Sequence, residues 1–330
     1  MHDAALVITS IAPPHAVLRH YATQCAARDI EFILIGDAAS PADFSLAGCR
    51  FYSLDEQLAL PFKLARLLPL RHYARKNLGY LLAREQRLIV ETDDDNWPLA
   101  HYWRARPDTT DGHYIERTGW TNIFRYFSDF PIWPRGFPLA QLHNKPAEIT
   151  HNEIVTRFCP IQHGLTNDQP DVDAIFRLVH KIDDLQFHEH GPVMLGTGAW
   201  CPFNSQNTAW FRAAFPLLYL PATCTFRMTD IWRSFVAQRV AWTCDWPVLF
   251  HAADTRQERN PHDLMRDFAD EIPGYLHNAQ ICRMLEDLPL RAGPSHLADN
   301  MWACYHALVQ KNYLDAAEMP LVEAWLTDIT

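Results

Sequence analysis

Arg87 to Glu91 reads Arg-Leu-Ile-Val-Glu, a short apolar strand, and runs straight into Thr92-Asp93-Asp94-Asp95-Asn96. Three adjacent carboxylates at a strand end repel one another, and no basic residue adjoins them in sequence. Such a cluster is either a solvated acidic turn or a seat for a cation. Hard divalent ions such as Mg²⁺ and Mn²⁺ prefer oxygen ligands and bridge readily to phosphates. The carboxyl end of a strand in an open α/β sheet is also where ligands bind. Asp93 and Asp95, at i and i+2, can face one side of an extended backbone and are the first candidate metal ligands, with Asp94 beside them.

The surrounding pattern supports that placement. Residues 4 to 8 (AALVI) predict a buried strand, 15 to 28 a helix, and Glu31 to Ile35 (EFILI) a second strand. Strand, helix, strand with short connections indicates a parallel α/β sheet. Residues 71 to 84 predict a helix that feeds the acidic strand. Arg71, Arg75 and Lys76 lie on it, with Arg71 and Arg75 at i and i+4 on one face. These three are candidates for neutralising a diphosphate near the acidic site, the alternative being a solvated helix face. Residues 97 to 170 have few clean periods and read as loops and short strands. Further helices are expected near 171 to 180 and 230 to 242, with short strands near 193 to 196 and 248 to 251. The stretch from 262 to 326 reads as helical. The expected organisation is a catalytic domain over 1–260 with a helical C-terminal extension over 261–330 packed on it.

The formal net charge of −10 argues against nucleic acid as the main partner, because phosphate-backbone binding relies on clustered Lys and Arg. No run reaches the roughly 18 apolar residues of a membrane-spanning helix. The start, Met1-His2-Asp3, lacks the basic region of a signal peptide. Eight Cys without a CxxC pair suggest reduced thiols, and a cytoplasmic location is expected.

Several blocks together resemble the STELLO-type glycosyltransferases. They are RHYARKNLGYLLA, ETDDDN, WPRGFPL (Trp133 to Leu139) and DQPDVDAIFRL (Asp168 to Leu178), followed by PFNSQNT (Pro202 to Thr208), AFPLLYLP and TFRMTDIWRSFVAQRVAW (Thr225 to Trp242). More distantly the layout is similar to the reversibly glycosylated polypeptides, which include UDP-arabinopyranose mutases. Both resemblances imply a GT-A-like nucleotide-binding α/β sheet flanked by helices, with the aspartates holding Mn²⁺ (or Mg²⁺) against the diphosphate of a nucleotide-sugar donor. Plant STELLO proteins carry a transmembrane anchor, so the resemblance covers their soluble catalytic region.

Within these blocks, Asp171 reads as an N-cap, and Asp173 as the better candidate for touching donor-sugar hydroxyls or the anomeric centre. Asn204 and Asn207 can hydrogen-bond a sugar or ribose, or stabilise turns. Asp230 is either an N-cap or, as the family implies, the residue that binds the acceptor or acts as base. His251 is either structural or, as in the family, a late metal ligand. Arg256, Arg259 and His262 follow in a loop that can close over the diphosphate. Glycosyl transfer to a carbohydrate or other hydroxyl acceptor is the leading expectation. A nucleotide-sugar mutase, a non-catalytic nucleotide-sugar-binding module and a metal-dependent hydrolase are the alternatives. The nucleotide base, sugar and acceptor are not specified, and homo-oligomer formation is left open.

Overall fold

The computed structural model describes residues 3–116, 118–143, 154–181, 184–258 and 263–330. The N-terminal third alternates strands and helices as expected. Strand β1 (Ala4–Thr9) leads through α1 (Ala16–Ala26) to β2 (Glu31–Ile35) and β3 (Arg50–Tyr52). Short helices α2 (Leu54–Leu58), α3 (Lys63–Leu67) and α4 (Lys76–Leu82) then precede β4 (Leu88–Thr92). β1 pairs in parallel with both β2 and β4. Helix α4 lies close on this sheet because of Gly79, where a Cβ would stand 2.5 Å from Val7 Cγ1.

The middle of the chain supplies β5 (Asn96–Pro98), β6 (Thr109–Ile115), β7 (Gly119–Trp120), β8 (Ile154–Phe158) and β9 (Ile161–Asn167). After α5 (Ala174–Val179) come β10 (Val193–Leu195), β11 (Ala199–Trp200) and β12 (Asn207–Phe211). Helix α6 (Thr229–Trp242) and strand β13 (Val248–Gln257) complete the sheet. Among the described residues the order is β3-β2-β1-β4-β12-β9-β13-β10-β6-β8, with β5 added against β13, and β7 and β11 form a separate pair. β12 is antiparallel to both β4 and β9, and β9 is parallel to β13. The carboxyl ends of β1, β2, β4 and β13 therefore share one edge with the amino end of β12.

Helices α7 (Leu264–Glu286), α8 (Leu297–Gln310) and α9 (Glu318–Ile329) follow. Their buried residues Ile281, Leu308 and Trp325 join the same hydrophobic core as Val7, Ile89 and Phe235. The α/β architecture of a helix-flanked sheet is as expected from the sequence.

Three local expectations are corrected. The helix read over 71–84 begins only at Lys76. Arg71 has φ of 54° in a bend, and Tyr73–Arg75 form a 3₁₀ turn, so Arg71 and Arg75 do not share a helical face. The strand read over 248–251 runs on to Gln257, and the stretch read as loops and short strands supplies β9, a seven-residue strand at the sheet centre.

Candidate functional site

At the shared strand edge lies a cavity of about 510 Å³. Its walls come from the turns after β1 (Ser10, Ile11), β2 (Gly36, Asp37) and β4 (Asp93 to Asp95), from Ser205 and Gln206 ahead of β12, and from Gln257 ending β13. Arg71, His72, Tyr73 and Arg75 border one side. Arg135, Asp171, Phe226, Arg227 and Asp230 border another. Six carboxylates and four guanidiniums thus face one space.

Each aspartate of the triplet is anchored from a different element. Asp93 Oδ1 accepts hydrogen bonds from Tyr73 Oη at 2.9 Å and Lys76 Nζ at 3.3 Å. Asp94 accepts from the Ser10 hydroxyl. Asp95 Oδ2 accepts from Gln257 Nε2 at 2.9 Å, and its carbonyl accepts from the Glu258 amide at 3.1 Å. Loss of solvent pushes Asp93 up to about 7; Lys76 and Tyr73 oppose the shift, and the Asp95 and Asp94 charges add to it. About a third of the Asp93 side chain still faces the open cavity, where an ion can reach it.

The basic residues divide into separate roles. Lys76 is fully buried beneath the triplet, where its ammonium also donates to the Thr92 carbonyl at 2.9 Å and to Tyr73 Oη at 2.9 Å. It neutralises Asp93 from behind. Arg75 is buried too, with Nε donating to Gln57 Oε1 at 2.8 Å and Nη1 to the Leu68 carbonyl at 3.3 Å. Arg71 is exposed on the cavity rim.

The opposite wall is organised by Arg135, a residue that the sequence reading quoted but gave no role. Its Nε and Nη2 donate to Asp171 at 2.8 Å each, while Nη1 and Nη2 grip Asp230 at 2.9 and 2.8 Å. Against the penalty of burial, Arg135 holds both carboxyls below their ordinary range. The roles read for Asp171 and Asp173 are exchanged. Asp171 faces the cavity, and it is Asp173 that caps α5, accepting from the Phe176 amide at 2.7 Å and Trp133 Nε1 at 2.6 Å. Burial without a cationic partner at hydrogen-bond range pushes Asp173 up to about 6. Asp230 sits in the first turn of α6 rather than at its N-cap, which is Met228.

Asn204 and Asn207 support the cavity rather than border it. Asn204 Nδ2 donates to Asp171 at 2.8 Å. Asn207 Nδ2 donates to Asp254 Oδ1 at 2.5 Å. Their neighbours Ser205 and Gln206 reach the cavity instead. His251 also stands apart from the triplet. It is buried beside Arg106 (3.2 Å from Nη1 to Nε2), and burial pushes it down to about 4, against the pull of Asp254. Arg256 pairs with Glu258 at 2.7 Å and lies 3.8 Å from Asp168. Arg259 and His262 lie outside the described residues.

Tyr73, Ser10, Gln257, Arg135 and Arg227 are among the cavity-lining residues that sequence reasoning passed over. Only the arginines carried a signal, as isolated cations inside the WPRGFPL and TFRMTD blocks.

The fold and site define an α/β protein with an acidic cleft at the carboxyl ends of its parallel strands. Residues 227–330 match the profile of the family described as STELLO glycosyltransferases, as the sequence blocks implied. Two Arabidopsis thaliana proteins, the probable glycosyltransferases STELLO1 and STELLO2, are each 27% identical to this chain, over 92% and 91% of its length. The chain spans 41% of the length of each of these relatives. Among solved structures, glucosyl-3-phosphoglycerate synthase from Mycobacterium tuberculosis superposes with a TM-score of 0.44 at 10% identity, covering 84% of this chain and 80% of that one. A Pyrobaculum calidifontis mannosyltransferase in complex with GDP-Man and Mn²⁺ gives 0.40 at 11% identity, covering 98% and 74%. Likeness at those scores carries no functional weight. Among the described residues, no helix is long and apolar enough to cross a membrane.

Proposed function

We propose that this chain is a metal-dependent glycosyltransferase that takes a nucleoside-diphosphate sugar as donor. The observation that carries the reading is the charge of the cavity. Its six carboxylates outnumber its four guanidiniums, and three of the carboxylates are consecutive at the end of β4. An anionic diphosphate entering such a space requires a cation between it and the aspartates.

The residues fit that cation. Among the described residues no three His, Cys, Asp or Glu side chains are arranged as a complete cage. A Mg²⁺- or Mn²⁺-like ion that keeps waters and shares substrate phosphates needs only one or two protein carboxylates. Asp93 and Asp95, with Asp94 beside them, would hold it. When bound, it supplies Lewis-acid stabilisation of the leaving nucleoside diphosphate. Lys76 and Tyr73 fix the Asp93 carboxylate, and Gln257 fixes Asp95. Arg71 on the rim is the guanidinium free to meet the diphosphate. Asp230 stays ionised in the grip of Arg135, so it orients an acceptor hydroxyl by accepting its hydrogen bond rather than serving as a strong base. His251 is too enclosed by Arg106 and Asp254 to join the metal without rearrangement. A reducing compartment such as the cytoplasm suits the eight unpaired cysteines.

The test is thermal stability of the protein against a panel of nucleoside diphosphates and nucleotide sugars, with and without Mn²⁺. A ligand present at about 100 times its Kd adds about 2.7 kcal/mol to the folded state. A Mn²⁺-dependent rise is expected with one nucleotide series, and it should vanish in Asp93→Ala/Asp95→Ala, whose ligand-free melt stays cooperative at a lower temperature because Lys76 loses its partner. An unchanged Mn²⁺-dependent rise in that double variant would defeat the proposal.

A further inference from the structure

The wall built by residues 226 to 230 has a composition that the donor does not explain. Phe226 is 57% exposed although Met228 and Thr229, two and three residues on, are buried. Its ring lines the cavity and meets Tyr73 at a centroid distance of 5.5 Å and 73°. The turn that presents it is fixed from below. Thr225 Oγ1 donates to the Asp270 carbonyl at 2.6 Å, and Arg227 pairs with Glu271 at 2.7 Å. Because this exposed ring also lines the cavity, it offers an apolar stacking face to whatever enters.

The charges next to it narrow the ligand. Arg135 spends its guanidinium on Asp171, Asp230 and the Arg227 carbonyl. Arg227 spends Nε and Nη2 on Glu271. The lining of this wall therefore balances two carboxylates with two guanidiniums, and both guanidiniums are already engaged. Such a wall has no spare cation to attract a phosphate or carboxylate ligand. It offers carboxylate acceptors to hydroxyl groups and an apolar face to the C–H side of a ring.

We propose that Phe226, with Asp230 and Asp171, forms a subsite for an uncharged polyhydroxylated ring: a neutral sugar unit of the acceptor, stacked on Phe226. The inference rests on the glycosyltransferase reading for the word acceptor, but the subsite itself is defined by its own wall. It commits the second substrate to a neutral carbohydrate and places it within one aromatic ring of Asp93, since Tyr73 touches both.

The experiment is saturation-transfer NMR on the full chain with Mn²⁺ and nucleoside diphosphate present. The probes are methyl glucoside, methyl galactoside, methyl mannoside, cellobiose and, as the charged counterpart, glucuronic acid. At least one neutral probe is expected to receive saturation from wild type. Its signal should fall at least fivefold in Phe226→Ala and return in Phe226→Trp, while glucuronic acid stays silent. The inference is overturned if no neutral probe binds, if Phe226→Ala keeps the wild-type signal, or if glucuronic acid binds as well as the neutral sugars. A loss of nucleotide affinity in Phe226→Ala that matches the loss of sugar signal would place the ring under the nucleobase and overturn it too. Wild-type melting shifts with nucleotide and Mn²⁺, taken on the same samples, separate the two readings. Nucleotide binding without Phe226-dependent sugar binding sinks only the subsite. Phe226-dependent sugar binding without any nucleotide shift sinks only the donor reading.

Discussion

Replacing Arg233 by Met removes a cation buried between the two halves of the site. Arg233 lies on α6, three residues after Asp230; its Nη1 donates to Glu91 Oε2 at 2.9 Å, and its Nη2 forms an ion pair with Oε1 at 2.8 Å. Glu91 lies on β4, two residues before Asp93, and both side chains are fully buried. Tyr80 Oη and Trp210 Nε1 complete the carboxylate's shell. Without Arg233 the charge on Glu91 faces only neutral donors. Breaking a buried pair from one side costs about 3–5 kcal/mol. At a urea slope of about 3 kcal/mol/M, a loss of about 4 kcal/mol lowers the unfolding midpoint by about 1.3 M. Trp210 gives the readout, since its ring lies 5.0 Å from the Arg233 guanidinium. Glu91→Gln should cost a similar amount by stranding the arginine. The double variant should cost clearly less than the sum of the two, because neither charge remains. A midpoint shift below about 0.3 M for Arg233→Met, or strict additivity in the double variant, would refute the claim that this pair braces β4 against α6.

Two further outcomes follow from the placement of charges. Arg71→Ala should weaken nucleoside diphosphate binding more than nucleoside binding at unchanged stability, by calorimetry. Arg75→Ala, which strands Gln57 and opens a buried site, should lower the melting point first; the reverse assignment of losses would undo the division between the two. Asp173 is raised to about 6 in the folded protein, so its proton favours the folded state. Its contribution is full below the unfolded value of about 3.9 and is lost as pH rises through 6. Asp173→Asn, which keeps an acceptor for the Phe176 amide, should therefore gain on wild type by on the order of 2–3 kcal/mol between pH 4 and pH 7. A pH-independent difference in urea stability would show that the cap is not titrating.

The strands that sequence made visible are those whose burial is mostly apolar. Ala4–Thr9, Glu31–Ile35 and Leu88–Thr92 read as strands because Leu6, Ile33 and Ile89 bury hydrocarbon on both sheet faces. The acidic triplet was legible for the opposite reason, since its charge has no place in a core. β9 and β12 escaped because polar residues interrupt the apolar ones at their buried positions. His163 and Thr208 pair across the two strands at 2.9 Å, and Asn207 meets Asp254 from β13. Polar groups that satisfy one another inside a sheet leave no hydrophobic period to detect. The same blindness affected the site. Whether Asp171 or Asp173 faces the cavity depends on Arg135, which lies 36 positions from Asp171 in sequence. Lys76 read as a cation for the diphosphate because nothing near it in sequence shows that it is buried beneath β4.

One clasp reaches the cavity from far along the chain. Glu318, at the start of α9, is fully buried and accepts from the Thr223 amide at 2.8 Å, the Thr223 hydroxyl at 2.7 Å and Tyr219 Oη at 2.5 Å. It thereby holds the segment that leads into Phe226 and Asp230, and Trp325 seals the same region by donating to the Pro216 carbonyl at 2.9 Å. The order of synthesis acquires a meaning from this. A nascent chain that has passed β13 already owns the described strands of the sheet and every aspartate of the triplet, yet the wall of Phe226 and Asp230 takes its first holds from Asp270 and Glu271 on α7 and its last, from Glu318, only after about 60 more residues have emerged. During that interval the aspartate side of the cavity is formed before the wall that faces it is fully braced.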